Sequence, residues 1–149
     1  MDYKLLLLEA KKASENTYSP YSHFPVGAAL ITKQNKIYKG CNVENASFGL
    51  TNCAERTCMF TAYADGVKKE DIEAIAIYTP QDHAVFPCGA CRQVMVELLL
   101  PECKVIIGYK DNEDIVISNV GELMPFSFTS EELKKWLSQV LLVSLDDQM

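Results

Sequence analysis

The chain has 149 residues, 48% of them hydrophobic and 23% charged, with a formal net charge of −6. This length supports one domain with its own core, and a mean hydropathy of −0.01 describes neither a disordered chain nor a membrane protein. The acidic balance, with its Lys-Lys pairs scattered among acidic residues, excludes the basic stripe that a nucleic-acid binder uses to neutralise phosphates.

The first helix is expected from Asp2, which can cap it, with apolar positions at Leu5, Leu8 and at Leu6, Ala10, Ala13. Tyr18-Ser19-Pro20 is expected to end it. Its apolar run, Leu5 to Leu8, is too short to span a bilayer. That run passes directly into Glu9 and Lys11-Lys12 without a small-residue cleavage site. The expected location is therefore the cytoplasm, where the six cysteines stay reduced and can bind metal.

Val26 to Thr32 and Ile37 to Val43 read as two strands joined by the polar turn Lys33-Gln34-Asn35-Lys36. A second helix should start near Cys53 and end at Asp65-Gly66. Glu73 to Thr79 alternates as a strand. A loop carrying Pro80 and Pro87 leads into a third helix, Ala90 to Leu100, closed by Pro101. Lys104 to Tyr109 and Ile115 to Ser118 form a strand pair around Asp111-Asn112-Glu113. Thr129 and Glu132 suggest a capping box for a last helix through Leu142. The alternation implies a single α/β domain over residues 1–149, its sheet covered by helices on both faces. It leaves open the direction of the last strand.

Two segments carry chemistry: Asn52-Cys53-Ala54-Glu55-Arg56 and Pro87-Cys88-Gly89-Ala90-Cys91-Arg92-Gln93. Each places cysteine at the predicted first turn of a helix, where the positive end of the helix dipole stabilises thiolates. Cys53, Cys88 and Cys91 can cover three corners of a tetrahedron around zinc and leave the fourth for water, the catalytic arrangement. A lone Cys-x-x-Cys also fits a redox pair or half of a zinc knuckle. Glu55 tips the balance, because a carboxylate at the metal side of the helix is costly in a structural site and necessary in a hydrolytic one. Cys58, a full turn further on, should point away from the metal. Cys41, Cys58 and Cys103 are expected to pack.

Cys-Ala-Glu followed by Pro-Cys-Gly-Ala-Cys-Arg-Gln resembles the zinc nucleoside deaminases, specifically the short, tetrameric type of cytidine deaminase. The likeness extends from Tyr18-Ser19-Pro20-Tyr21-Ser22 through Gly40-Cys41-Asn42-Val43-Glu44-Asn45-Ala46 to Leu123-Met124-Pro125. It implies a three-layer α/β/α fold with a central mixed five-stranded sheet and a homotetramer whose sites are completed by neighbouring subunits. It also implies hydrolysis of free cytidine and 2′-deoxycytidine to the uracil nucleosides, with release of ammonia, in pyrimidine salvage.

By this resemblance Cys53, Cys88 and Cys91 hold Zn2+, Glu55 moves the protons, and Arg56 donates hydrogen bonds to ligand sulfurs. Arg92 is a weaker candidate for that role. Asn42 and Glu44, on one face of an extended segment, bind the ribose 3′-hydroxyl, Phe24 stacks on the pyrimidine, and a backbone N–H of Ala54 meets cytosine O2. Phe128 matches an aromatic that reaches a neighbouring subunit's site. The chain reads Pro125-Phe126-Ser127-Phe128 where the family has small residues before that aromatic, so either phenylalanine fits. A small-molecule nucleoside is the expected partner, with no nucleic acid and no membrane. A deaminase of another small aminopyrimidine and a non-catalytic zinc-stabilised module are the competing readings.

Overall fold

The computed structural model describes residues 2–111 and 114–146. It contains helices α1 (Tyr3–Ser14), α2 (Ala54–Ala64), α3 (Gly89–Leu98), α4 (Val120–Leu123) and α5 (Ser130–Asp146). The strands are β1 (Gly27–Thr32), β2 (Ile37–Cys41), β3 (Ile72–Thr79), β4 (Lys104–Tyr109) and β5 (Asp114–Asn119). The expected order is present, with α4 added as one turn that Asn119 caps by accepting from the Glu122 N–H. Asn112 and Glu113, expected in the last turn, lie outside the described residues.

The strands form one five-stranded sheet in the order β2-β1-β3-β4-β5. β1 is antiparallel to both its neighbours, β3 and β4 are parallel, and β5 returns antiparallel to β4. The sheet is therefore mixed, as the family resemblance implied. A short connection between β4 and β5 permits only the antiparallel direction.

Alternating side chains divide the core into two layers. Ala28, Leu30, Ile75, Ile77, Val105 and Ile107 pack with α2 and α3 residues such as Met59 and Met95. Ala29, Ile31, Ala74, Ala76 and Ile106 face α1 through Leu6, Leu7 and Ala10. Several of the residues facing α1 are alanines, which lets that helix lie close to the strands. Leu6, Ala10 and Ala13 of the expected apolar set are buried, but Leu5 and Leu8 are exposed and Leu7 takes the core position.

Two boundaries differ from expectation for the same reason. α1 ends at Ser14, before Tyr18-Ser19-Pro20, and β2 ends at Cys41, before Val43. The Tyr18 N–H donates to the Asn42 carbonyl at 3.0 Å, and the Glu44 N–H donates to the Tyr18 carbonyl at 2.8 Å. Pairing between these distant segments satisfies backbone groups that would otherwise continue the helix and the ladder. At the other end of α2, Gly66 adopts φ +89° where a left-handed cap was expected.

The topology sets the place of the site. β2 and β3 flank β1 and are both antiparallel to it, so their carboxyl ends and the amino end of β1 lie at one edge. The chains leaving β2 and β3 there lead into α2 and α3 on the same face. α2 lies tightly on β2 because Gly40 has no side chain. A Cβ at Gly40 would stand 2.4 Å from the Cys58 nitrogen and 2.7 Å from the Ala54 carbonyl oxygen.

The last helix is different. Leu133, Trp136, Leu137 and Val140 of α5 are all exposed, as are Phe126 and Phe128 just before it. The Glu132 N–H meets the Thr129 carbonyl at 3.2 Å, while the Glu132 carboxylate turns to Lys135 rather than closing the expected capping box.

Gly40→Ala is expected to lower stability by about 1–3 kcal/mol, the usual cost of overpacking a dense core, as read by urea or thermal denaturation. Gly49→Ala, with nothing within 4 Å of its added Cβ, is the matched control. Equal stability of the two variants would show that α2 can lift from the sheet at no cost.

Candidate active site and metal centre

Cys53 and Cys88 occupy the N-cap positions of α2 and α3, both with extended backbones and neither making a side-chain cap bond. Their sulfurs are thus not spent on capping their own helices. Cys91 lies one turn into α3 and is buried. The three Sγ atoms lie within 4.8 Å of one another, and those of Cys53 and Cys88 are 3.9 Å apart. Tetrahedral zinc with Zn–S bonds of about 2.3 Å requires sulfur separations of about 3.8 Å. The donor set and its spacing fit zinc. Among the described residues this is the one cluster of three or more such donors so arranged.

The electrostatics favour thiolate at Cys53. Hydrogen bonds from Cys91 and, at 3.2 Å, from Arg56 Nη2 hold the Cys53 thiol down at about 5. Cys91 is pushed up, first by the neighbouring Cys53 sulfur and then by burial, because two adjacent anions are costly without a cation between them. Arg56 thus lies against a sulfur, as expected. Arg92 does not. Its Nε donates to the Pro87 carbonyl at 2.7 Å and its Nη1 to the Leu123 carbonyl at 3.0 Å, tying the approach to Cys88 to α4. Cys58 is fully buried and donates to the Tyr38 carbonyl, and burial pushes its thiol up to about 12. It packs, as does Cys103.

Glu55, in the first turn of α2, is 5% exposed. Burial, reinforced by the charge on Cys53, raises its carboxyl above the ordinary range. Glu55 lines a cavity of 320 Å³ together with Cys53, Ala54 and Cys88. That size lies within the range of small-molecule sites, about 300–1,000 Å³. Phe24, Val26, Ile77, Thr79, Val85 and Phe86 form the walls, and Ser22, Asn42, Glu44 and Thr51 also border it.

Asn42 and Glu44 reach this cavity from just beyond β2, one on each side of Val43. Asn42 is 8% exposed and mostly committed to the frame. Its Oδ1 accepts from the Val26 N–H at 2.9 Å and from the Thr17 hydroxyl, and its Nδ2 donates to the Phe24 carbonyl at 2.8 Å. One amide hydrogen remains. Glu44 Oε1 accepts from the Tyr21 and Ser22 N–H groups at 3.0 and 3.1 Å. Hydrogen bonding, first from the Ser22 side chain, holds the Glu44 carboxyl below the usual range.

Phe128 does not border the cavity of its own chain, and neither does Phe126. Phe128 is fastened by its carbonyl, which accepts from Gln93 Nε2 at 2.9 Å. Thr51, Ile77, Thr79 and Val85 border the cavity without having been singled out in the sequence. Ile77 and Thr79 alternate on one face of β3 at its carboxyl end, a signal that becomes useful only once that edge is known to hold the site.

A buried carboxylate beside three convergent thiolates, at one end of a largely apolar cavity, defines a zinc-dependent hydrolase of the deaminase class. Residues 1–107 match the family model described as the cytidine and deoxycytidylate deaminase zinc-binding region. The chain is 49% identical over 133 residues to the cytidine deaminase of Halalkalibacterium halodurans, covering 89% of this chain and 98% of that protein. It is 44% identical to the cytidine deaminase of Sporosarcina psychrophila, covering 89% of this chain and 96% of that protein. The crystal structure of cytidine deaminase from Burkholderia pseudomallei superposes with a TM-score of 0.83 at 46% identity, over 86% of this chain and 100% of that one. The chain belongs to the cytidine deaminase family.

Cys88→Ala removes the most exposed of the three thiols and should leave the fold intact while zinc content falls well below stoichiometric after dialysis. Elemental analysis reads this directly, and full retention of zinc would remove Cys88 from the ligand set.

Proposed function

We propose that this chain, acting as one catalytic domain over residues 1–149, deaminates free cytidine and 2′-deoxycytidine to uridine and 2′-deoxyuridine in pyrimidine salvage. The observation that carries the reading is that buried Glu55, Cys53 and Cys88 line one cavity with Glu44 and Asn42, while the Cys91 sulfur completes the metal cluster with those of Cys53 and Cys88. The relatives named above share the chemistry this implies. The cavity lining contains no lysine or arginine, which favours a nucleoside over a 5′-phosphorylated nucleotide.

Bound by three thiolates, zinc would supply a water whose pKa falls from about 15.7 towards about 7. Glu55 accepts the proton of the attacking water and delivers it to N3 as C4 of the ring becomes tetrahedral. Burial raises its pKa above the ordinary carboxyl range, which suits a group that must give as well as take a proton. The same carboxylate then takes the remaining proton from the hydroxyl on C4 and delivers it to the amino nitrogen, so that the C4–N bond breaks, the C4 carbonyl forms and ammonia leaves. Ala54, at the first position of α2, has a backbone N–H without an intrahelical partner and offers it to the cytosine O2. Phe24 stacks on the ring. The Glu44 carboxylate accepts from the 3′-hydroxyl, and the remaining amide hydrogen of Asn42 donates to it.

Three thiolates on one dication leave the cluster net negative, which weakens it as a Lewis acid. Arg56 offsets this charge through its bond to Cys53. Exposed apolar residues on α5, together with Phe126 and Phe128, support a homotetramer in which Phe128 completes a neighbouring site. A cytoplasmic location accords with free cysteines, and among the described residues no helix is long and apolar enough to cross a membrane.

Zinc-loaded protein incubated with cytidine should lose the cytosine absorbance band, while Glu55→Gln should be slower by at least about 10²–10⁴-fold. No change with active-site zinc confirmed would overturn the proposed substrate. Arg56→Ala should remain folded and lower kcat by about 10–100-fold, within the range for residues that support metal ligands. Wild-type turnover in a fully zinc-loaded Arg56→Ala enzyme would remove its electrostatic role.

A further inference from the structure

Cys53 stands at the N-cap of α2, where Ser, Thr, Asp or Asn ordinarily secures the first helical N–H groups. Its own side chain makes no such bond. Thr57 and Asn52 instead hold the Cys53 backbone through its carbonyl. Thr57 Oγ1 donates to the Cys53 carbonyl at 3.1 Å, and the Thr57 N–H meets the same carbonyl at 3.0 Å. The Asn52 side-chain amide donates to Thr57 Oγ1 at 3.0 Å.

A hydroxyl bonded back to the carbonyl four residues earlier is common in helices. Here the hydroxyl also accepts from the residue before the N-cap, which closes a hydrogen-bonded ring across the helix start. Asn52 is held from the other side as well. Its N–H and carbonyl exchange 3.0 Å hydrogen bonds with those of Val43, the residue between Asn42 and Glu44. A continuous path therefore runs from the segment bearing Glu44, through Val43, Asn52 and Thr57, to the backbone of Cys53. Neither Asn52 nor Thr57 lines the cavity.

We propose that Asn52 and Thr57 are positioning residues, a clamp that sets the separation between the Glu44 carboxylate and the helix start carrying Cys53 and Glu55. The inference rests on the proposed nucleoside chemistry, in which the sugar is held at one end of the cavity and the ring reacts at the other. Displacement of one end by about 1 Å lowers turnover by as much as about 10²-fold in such a site. The clamp also stiffens the backbone of a metal ligand, so its loss loosens the metal.

The test compares Thr57→Val, Asn52→Ala, the double variant and Thr57→Ser, each zinc-loaded and with its fold checked by circular dichroism. Two readouts are used: kcat and KM for cytidine, and the rate of zinc transfer to a chromogenic chelator. Thr57→Val and Asn52→Ala should each lose about 10–100-fold in kcat/KM and release zinc faster. Thr57→Ser, which keeps the hydroxyl, should behave as wild type. The double variant should be no worse than the poorer single one, since either change opens the same ring. Asn52→Ala preserves the back-bond within α2 and so carries the test if Thr57→Val fails to fold.

Wild-type kcat/KM and zinc transfer in the folded single variants would overturn the clamp, as would losses that multiply in the double variant. Should the wild-type protein itself fail to deaminate cytidine, the proposed reaction falls. The chelator readout still decides the clamp, because unchanged zinc release in the single variants overturns it.

Discussion

Three sulfurs can share one cation only if their backbones present them within a few ångströms, and two helix N-termini at one sheet edge achieve this. β2 and β3 run in the same direction on either side of β1, so the chain leaves both at that edge and turns onto the same face. Cys53 and Cys88 are then the first residues of the turns into α2 and α3. The helix dipoles favour negative sulfur at those points. Gly40, by letting α2 rest on β2, brings the first of these N-termini to its required depth.

The same cavity holds two carboxylates in opposite conditions. Glu44 is steadied by two backbone N–H groups and kept ionised, which suits an acceptor for a hydroxyl. Glu55 is buried next to a negatively charged sulfur and its pKa is raised, which suits a carrier of protons. Titratable groups whose environments push them apart in this way suit different roles, which is what the proposed division between sugar binding and proton transfer uses. Asn42, placed by the resemblance at the sugar, proves to be mainly a joint. It binds the residues before β1 to the end of β2 and has one hydrogen left to offer.

The outer surface carries a different message. Most polar atoms around the cavity are hydrogen-bonded within the chain, yet Trp136 of α5 is 59% exposed and its apolar neighbours lie open beside it. A contiguous exposed apolar surface of this kind marks an interaction site more often than a free face. It is the surface on which the proposed assembly rests, and Phe128 lies exposed beside it.

Much of this protein was legible in the sequence because the relevant signals are local. Alternation fixed the strands at Lys104–Tyr109 and Ile72–Thr79 to within a residue or so, and Gly66 marked its left-handed cap. Cysteines at helix starts, with Glu55 two residues after one of them, pointed to the metal chemistry. What the sequence could not decide were the features made by distant segments meeting. Pairing of Tyr18 with the 42–44 segment cut short both α1 and β2, and the guanidinium next to Cys91, that of Arg92, turned to carbonyls instead of sulfur. Ile77 and Thr79 joined the cavity, and Asn52 met Thr57, only because the sheet order set their edge beside the helix start. Periodicity specifies which way a side chain faces within its own element. Which other element it meets there depends on strand order and close approach, and these belong to the tertiary structure alone.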